Sequence, residues 1–227
     1  MDSLNILISN DDGIFADGIR SLAKKALERG HKVTVVEQSE PRDGSKLMNR
    51  NVTRIYTPGS LYEESLIGGE ESALLASLVI SGESLACSLI DNSTGHAQAF
   101  ELEGENRWSR LLDEMLRNSP RELVLGRKEA EEPIVGQLIG QMHGIVVSQH
   151  EVPAKSRLKA LQEGFGGIDL GHLDLDQHPL AMQAVGLAAD YLCRLHLSER
   201  IPIRDIEFLE EEGSMVLDQT TLRNLEL

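Results

Sequence analysis

Two neighbouring carboxylates, Asp11 and Asp12, are the residues of this chain whose type and spacing most readily suit chemistry. They follow the apolar run Leu4 to Ile8, a short strand, in the turn Ser9-Asn10-Asp11-Asp12-Gly13. Hard oxygen donors at the C-terminal end of a parallel strand lie in the crevice where α/β folds bind ligands. They suit Mg²⁺ or Mn²⁺, with Asn10 as a polar contact beside the ion. The same residues also make a plain turn, in which Asp side chains bond local backbone and Gly13 takes the left-handed conformation. A second cluster, Asp169, His172, Asp174, Asp176 and His178, has neither a helix nor the paired spacing of a metal site, and reads as an acidic surface loop. Ser93 and Thr94 read as turn formers, because no His stands in a pattern that would activate them. His96 beside them reads as a strand residue, and Trp108 as a core or rim anchor of a helix.

The elements that would position these residues alternate between strand and helix. After the first turn, Ile19, Leu22, Ala23, Ala26 and Leu27 are spaced as one face of a helix over 17–29 that closes at Gly30. His31 to Glu37 is the next strand, so the opening is a βαβ, Rossmann-like unit with a parallel pair. Val52 to Thr57 is a further strand, punctuated by Pro58-Gly59-Ser60. From Ser84, two apolar runs flank Asn92-Ser93-Thr94-Gly95 as a hairpin. Trp108, Leu111, Leu112, Met115 and Leu116 form the stripe of a helix that stops before Pro120. Strands over 122–125 and 144–148, a weak helix over 134–142 and a long helix over 180–195 complete an α/β layer pattern. Ile201 to Glu207 is extended. Asp218 is an N-cap for a helix over 219–227 that ends without a stop signal, as expected of a piece of a larger protein.

At 227 residues the chain suits one large or two small domains, and the reading here is two. Its 37 acidic and 22 basic side chains leave a net charge of −15, which repels a phosphate backbone and argues against strong direct nucleic-acid binding. Aromatic residues are only 4%, too few for a platform of stacked bases. Cys87 and Cys193 lie far apart inside apolar runs, as buried free thiols of a reducing compartment do. No run approaches the roughly 20 apolar residues of a membrane helix. Asp2 stands where a signal or transit peptide would carry Lys or Arg, so the expected location is cytoplasmic, with nucleus and mitochondrion left open.

Two family resemblances follow from these residues. The opening ILISNDDGIFADGIRSLAKKALERGHKVTVVE resembles the start of the SurE family of metal-dependent nucleoside monophosphate phosphatases, whose hallmark is the SNDDGI turn. That resemblance implies metal ligation by Asp11 and Asp12. It places Asp43, in Arg42-Asp43-Gly44, where the family has a ligating Ser, while the family's further Asn-bearing turn is absent.

The second resemblance covers about residues 53–227. VTRIYTPGSLYEESLIGGEESALLASLVI is similar to the junction between the mismatch-binding and connector domains of the MutS family of DNA mismatch-repair proteins. LACSLIDNSTGHAQAFELE resembles the first connector hairpin, and LLDEMLRNSPRELVL its first helix and next strand. MVLDQTTLRNLEL is similar to the entrance of the core (lever) domain, with Thr221, Arg223, Asn224 and Leu225 in matching places. ERGHKVTVVEQSEP fits both families, so a splice at a shared strand, by gene fusion or by laboratory joining, is the expectation.

The MutS resemblance implies an RNase H-like connector over 58–207, preceded by the βαβ segment 1–57 and followed by a short helical stub of the core domain over 208–227. Its partners would be a MutL-like protein and the remaining MutS domains, and no membrane. Phe15 and Asp17 do not reproduce the family's Phe-X-Glu wedge, and no G-x-x-x-x-G-K-[ST] loop occurs, so mismatch recognition and ATP binding would belong to other parts of the parent protein. The leading expectation is thus a module for interdomain transmission and docking without catalytic residues of its own. The rival is a Mg²⁺- or Mn²⁺-dependent phosphatase using Asp11, Asp12 and Asp43.

Overall fold

The computed structural model describes residues 4–9, 16–38, 50–60, 74–157, 161, 177–197 and 203–209. Among them, strands and helices build two sheets with helices packed on their faces, a mixed α/β structure.

The first sheet has the order β1-β2-β3, formed by β1 (Asn5–Ser9), β2 (Lys32–Gln38) and β3 (Arg50–Tyr56). β1 and β2 are parallel, as a strand, a helix and a strand in succession require, and β3 returns antiparallel to β2. Helix α1 (Asp17–Glu28) joins the parallel pair. Its apolar stripe, Ile19, Ala23, Ala26 and Leu27, packs on Ile8, Val33, Val35 and Tyr56. Leu22, which the periodicity counts with that stripe, is instead exposed, because it falls at the stripe's edge on a helix that covers only one sheet. The helix closes on Gly30, whose φ of +79° is the left-handed conformation glycine supplies at a helix end.

The second sheet is larger, with six strands in the order β8-β7-β4-β5-β6-β9. β4 (Leu74–Ser81), β5 (Ser84–Asp91) and β6 (His96–Leu102) form an antiparallel meander. Helix α2 (Arg107–Asn118) then carries the chain back to β7 (Glu122–Leu125), which lies parallel to β4. The short helices α3 (Arg127–Glu131) and α4 (Pro133–Gln141) lead to β8 (Val146–Gln149), parallel to β7 at one edge. Helix α5 (Pro179–His196) and then β9 (Asp205–Phe208), parallel to β6, complete the other edge.

Side chains alternate across this sheet and divide its core in two. Leu78, Leu85, Cys87, Leu89, Phe100, Leu123 and Leu125 point to α2 and α4, against Leu111, Met115, Val135 and Leu138, with Trp108 at the rim. Leu75, Val79, Ala86, Ile90, Ala97, Ala99 and Val124 point the other way, to α5. Burial on both faces is why β4 and β5 are apolar at almost every inner position, broken only by the buried, hydrogen-bonded Ser77 and Ser88. α5 presents Ala181, Ala184, Ala188 and Ala189, all buried, so its backbone comes close to the strands, while Gly186 gives room to the backbone of Arg157. There Ser77 donates a hydrogen bond to the Ala184 carbonyl at 2.7 Å.

Strand β4, the pivot of the sheet, was not among the elements expected from sequence. It lacks period-two alternation because both its faces are covered. Helix α3 is likewise additional. The helix expected over 219–227, its cap Asp218, and Thr221, Arg223, Asn224 and Leu225 lie outside the described residues.

Candidate functional site at the junction of the two sheets

The residues singled out for metal chemistry, Asp11, Asp12 and Asp43, lie outside the described residues, as do Asp169, His172, Asp174 and Asp176. His178 stacks on Phe208 with ring centroids 4.7 Å apart, a packing contact beside the start of α5. Among the described residues no group of three or more His, Cys, Asp or Glu is arranged to hold a metal ion, and no helix is long and apolar enough to cross a membrane.

The hairpin turn behaves as its residue types dictate. Asp91 Oδ1 accepts from the Ser93 amide at 2.9 Å and the Ser93 hydroxyl at 2.6 Å, and Gly95 has a φ of +78°. Partial burial works against charge on Asp91, but the hydrogen bonds from Ser93 and Thr94 outweigh it and hold the carboxyl below its usual range. His96 opens β6 and its Nδ1 lies 2.7 Å from Asp205 of β9, so it is a strand residue, as expected. Cys87 is a free, fully buried thiol whose pKa burial drives far upward. Cys193 is free and half-buried, pushed up to about 11 by burial and by nearby Asp190.

The polar groups with the most unusual surroundings sit where the two sheets meet. β3 runs into Thr57-Pro58-Gly59-Ser60, and all four residues of this link are buried. The link folds on itself, with the Thr57 amide donating to Ser60 Oγ at 2.9 Å and the Ser60 amide to the Thr57 carbonyl at 3.1 Å. It is then held by the second sheet at two points. Asn92, from the hairpin turn, donates to the Ser60 carbonyl at 2.7 Å. Glu122, the first residue of β7, accepts the Gly59 amide on Oε2 at 3.0 Å.

Glu122 is completely buried, which a carboxyl group tolerates only when its oxygens are satisfied. Its Oε1 takes two further donors, the Ser148 hydroxyl of β8 and the Tyr191 hydroxyl of α5, each at 2.6 Å. Residue parity explains the convergence. Glu122 shares the α5 side of β7 with Val124, so its side chain enters the layer where Tyr191 lies. Burial, and then the neighbouring Glu122, raise the Tyr191 phenol well above its ordinary range, which keeps it a neutral donor. A Cβ at position 59 would sit 2.7 Å from Glu122 Cβ and 2.9 Å from Leu75 Cδ1, so only glycine brings its amide this close.

The first sheet touches the same cluster from outside. Lys32 of β2 places its Nζ 5.7 Å from the centre of the Tyr191 ring. A Cβ on Gly30 would lie 3.1 Å from Val146 of β8, and Ile55 of β3 packs against the α5 side of the core. Beyond Tyr191, His150 meets the ring edge-on at 5.4 Å and lies 2.7 Å from Asp190, which Arg194 also approaches at 3.2 Å. None of these groups stood out in the sequence. Only the Thr-Pro-Gly turn was legible, since nothing at position 122 or 191 announces a partner some 60 residues away.

Fold and junction together define an α/β module whose buried polar chemistry holds two sheets to each other. Comparison with known proteins is specific about its kind. A model of MutS domain I matches residues 12–65, and one of MutS domain II matches residues 73–204. The chain belongs to the MutS family.

The DNA mismatch repair protein MutS of Symbiobacterium thermophilum is 33% identical over 208 residues, which cover 89% of this chain and 24% of that protein. The MutS proteins of Anaeromyxobacter dehalogenans and Halothermothrix orenii are 28% and 29% identical over 216 and 217 residues, each covering 95% of this chain and 24% of the relative. The chain thus spans about a quarter of the length of the curated relatives it matches. The MutS match takes in the N-terminal segment from residue 12, and relatives align over 95% of the chain, so the SurE resemblance and the splice expected from it find no support.

Proposed function

We propose that this chain is the part of a DNA mismatch-repair protein that connects the mismatch-binding domain to the remainder, passes changes of orientation between them and docks a MutL-like protein. The observation that carries this reading is the junction. The segment Thr57–Ser60, which leaves the first sheet near the end of the part that matches domain I, is not a free tether but is buried and gripped by Asn92 and Glu122 of the second sheet. A gripped link transmits orientation, whereas a solvated one loses it.

The strand order supports an RNase H-like reading of the second unit: three antiparallel strands, with two parallel ones added beside the first of them. In this reading the second unit spans about 58–207, with β9 at its far edge, and the βαβ-containing segment 1–57 belongs to the mismatch-binding side. Mismatch contact and ATP hydrolysis fall to other parts of the parent protein, in keeping with the charge of −15 on this piece.

The test is a graft. This chain replaces the matching quarter of a full-length relative, and mismatch-provoked repair is measured with binding of the relative's MutL-like partner. Repair and binding near the parent's levels support the reading. A folded graft that binds mismatched DNA yet recruits no MutL-like partner overturns it.

A further inference from the structure

We propose that Glu122 is a relay: it makes the seating of the link at Gly59 and the position of helix α5 mutually dependent, through one carboxyl group with no oxygen to spare. The proposal deepens the connector reading by naming the device that would transmit orientation.

The geometry leaves the carboxyl little freedom. Oε2 is committed to the Gly59 amide, and Oε1 to the hydroxyls of Ser148 and Tyr191. The two oxygens belong to one rigid plane, so a rotation that follows a moving Gly59 draws Oε1 away from Tyr191 and Ser148. A buried donor left without an acceptor is costly, and water cannot reach a fully buried site to replace it. The network therefore favours two conditions, all partners seated or all released, over graded displacement.

Other contacts bind the same parts together. Asn92 Nδ2, which holds the Ser60 carbonyl, also lies 3.4 Å from His196 at the last turn of α5. Residues 57–60 are thus tied to α5 through Glu122 to Tyr191 and through Asn92 to His196. Lys32 reaches the Tyr191 ring from the first sheet, so a shift of that sheet acts on both ends of the relay. Gly59 completes the argument, because its lack of a side chain lets the backbone itself be the sensing group.

The experiment uses the whole chain and two readouts. Amide hydrogen exchange compares Gly59 with Leu123, a core amide in the same sheet. Pulsed electron spin resonance measures the distance between spin labels at Leu22→Cys on α1 and Asp113→Cys on α2, with Cys193→Ser removing the half-buried thiol. The decisive variant is Ser148→Ala, which deletes a hydroxyl that meets Glu122 from β8, on the far side from residues 57–60; Tyr191→Phe accompanies it, because the Tyr191 hydroxyl also lies beside the Thr57 side chain.

A relay predicts that Gly59 exchange rises about tenfold more than Leu123 exchange, the effect of about one buried hydrogen bond, and that the label distance distribution broadens. Tyr191→Phe should do the same more strongly. Glu122→Gln should exceed both, because an amide cannot accept from all three donors. Gly59 exchange that moves only in step with Leu123 in Tyr191→Phe and Ser148→Ala would overturn the relay, leaving Glu122 a local clasp. A graft that fails to recruit its partner while Gly59 still responds to Ser148→Ala would sink the connector reading and spare the relay.

Discussion

The two sheets of this molecule solve the problem of covering their faces differently. The six-stranded sheet has helices on both sides, α2 and α4 on one and α5 on the other, and its central strands are buried throughout. The three-stranded sheet has α1 on one side only. Its other face turns Ile55 and Lys32 toward the larger unit but leaves Leu7 and Val52 exposed, Leu7 at 67%. A sheet covered on both faces carries its own stability, whereas one covered by a single short helix relies on what it is attached to. The junction is that attachment, which is why a buried carboxyl is tolerated there.

The largest effects should come from the cores themselves. Leu187→Ala, in the fully buried middle of α5, should cost about 3 kcal/mol in chemical denaturation and loosen both sheets together. Ile19→Ala under α1 should cost about 2 kcal/mol and loosen the first sheet alone. If Ile19→Ala lowers the whole transition as one, the contrast between the units is broken.

Next in size is Glu122→Ala, which strands two buried donors and a half-buried one. It should cost about 2–3 kcal/mol and split the thermal transition in two, the first sheet melting earlier. A single unshifted transition would mean that Glu122 is not what couples the two sheets.

Alkaline pH should sharpen the same point. The thiols of Cys87 and Cys193 and the phenol of Tyr191 are all raised in the folded chain, so their contribution is whole below the ordinary values of 9.0 and 10.0 and is lost as pH rises above them. Denaturant midpoints should therefore fall from about pH 9 upward, and Tyr191→Phe should flatten the steeper part of that fall. A slope unchanged in the variant would remove Tyr191 from the account.

The smallest effect belongs to the open face. Leu7→Thr should change stability by less than about 0.5 kcal/mol while reducing binding of an apolar dye such as ANS. A larger loss would show that the face is covered in solution.

Much of this architecture was legible in the residues. The parallel β1–β2 pair, the hairpin around Asn92 to Gly95, α2 before Pro120 and the long α5 all follow from periodicity and turn chemistry. β4 was missed although it is the centre of the larger sheet, because a strand covered on both faces shows no alternation. The Asp11-Asp12 turn drew attention through local chemistry, while the group that holds the junction, Glu122, looked like any acidic residue opening a strand.

What the sequence by itself determined, then, were most of the local elements and the MutS resemblance, since strand runs, caps and turn residues act over a few positions and are written contiguously; the SurE resemblance, drawn from one short turn, was not upheld. Tertiary structure alone decided which polar groups meet. Glu122, Gly59, Ser148 and Tyr191 come from four separate elements, and only the pleat of β7 and the path of α5 bring their atoms within hydrogen-bond reach, where exclusion of water makes the contact matter.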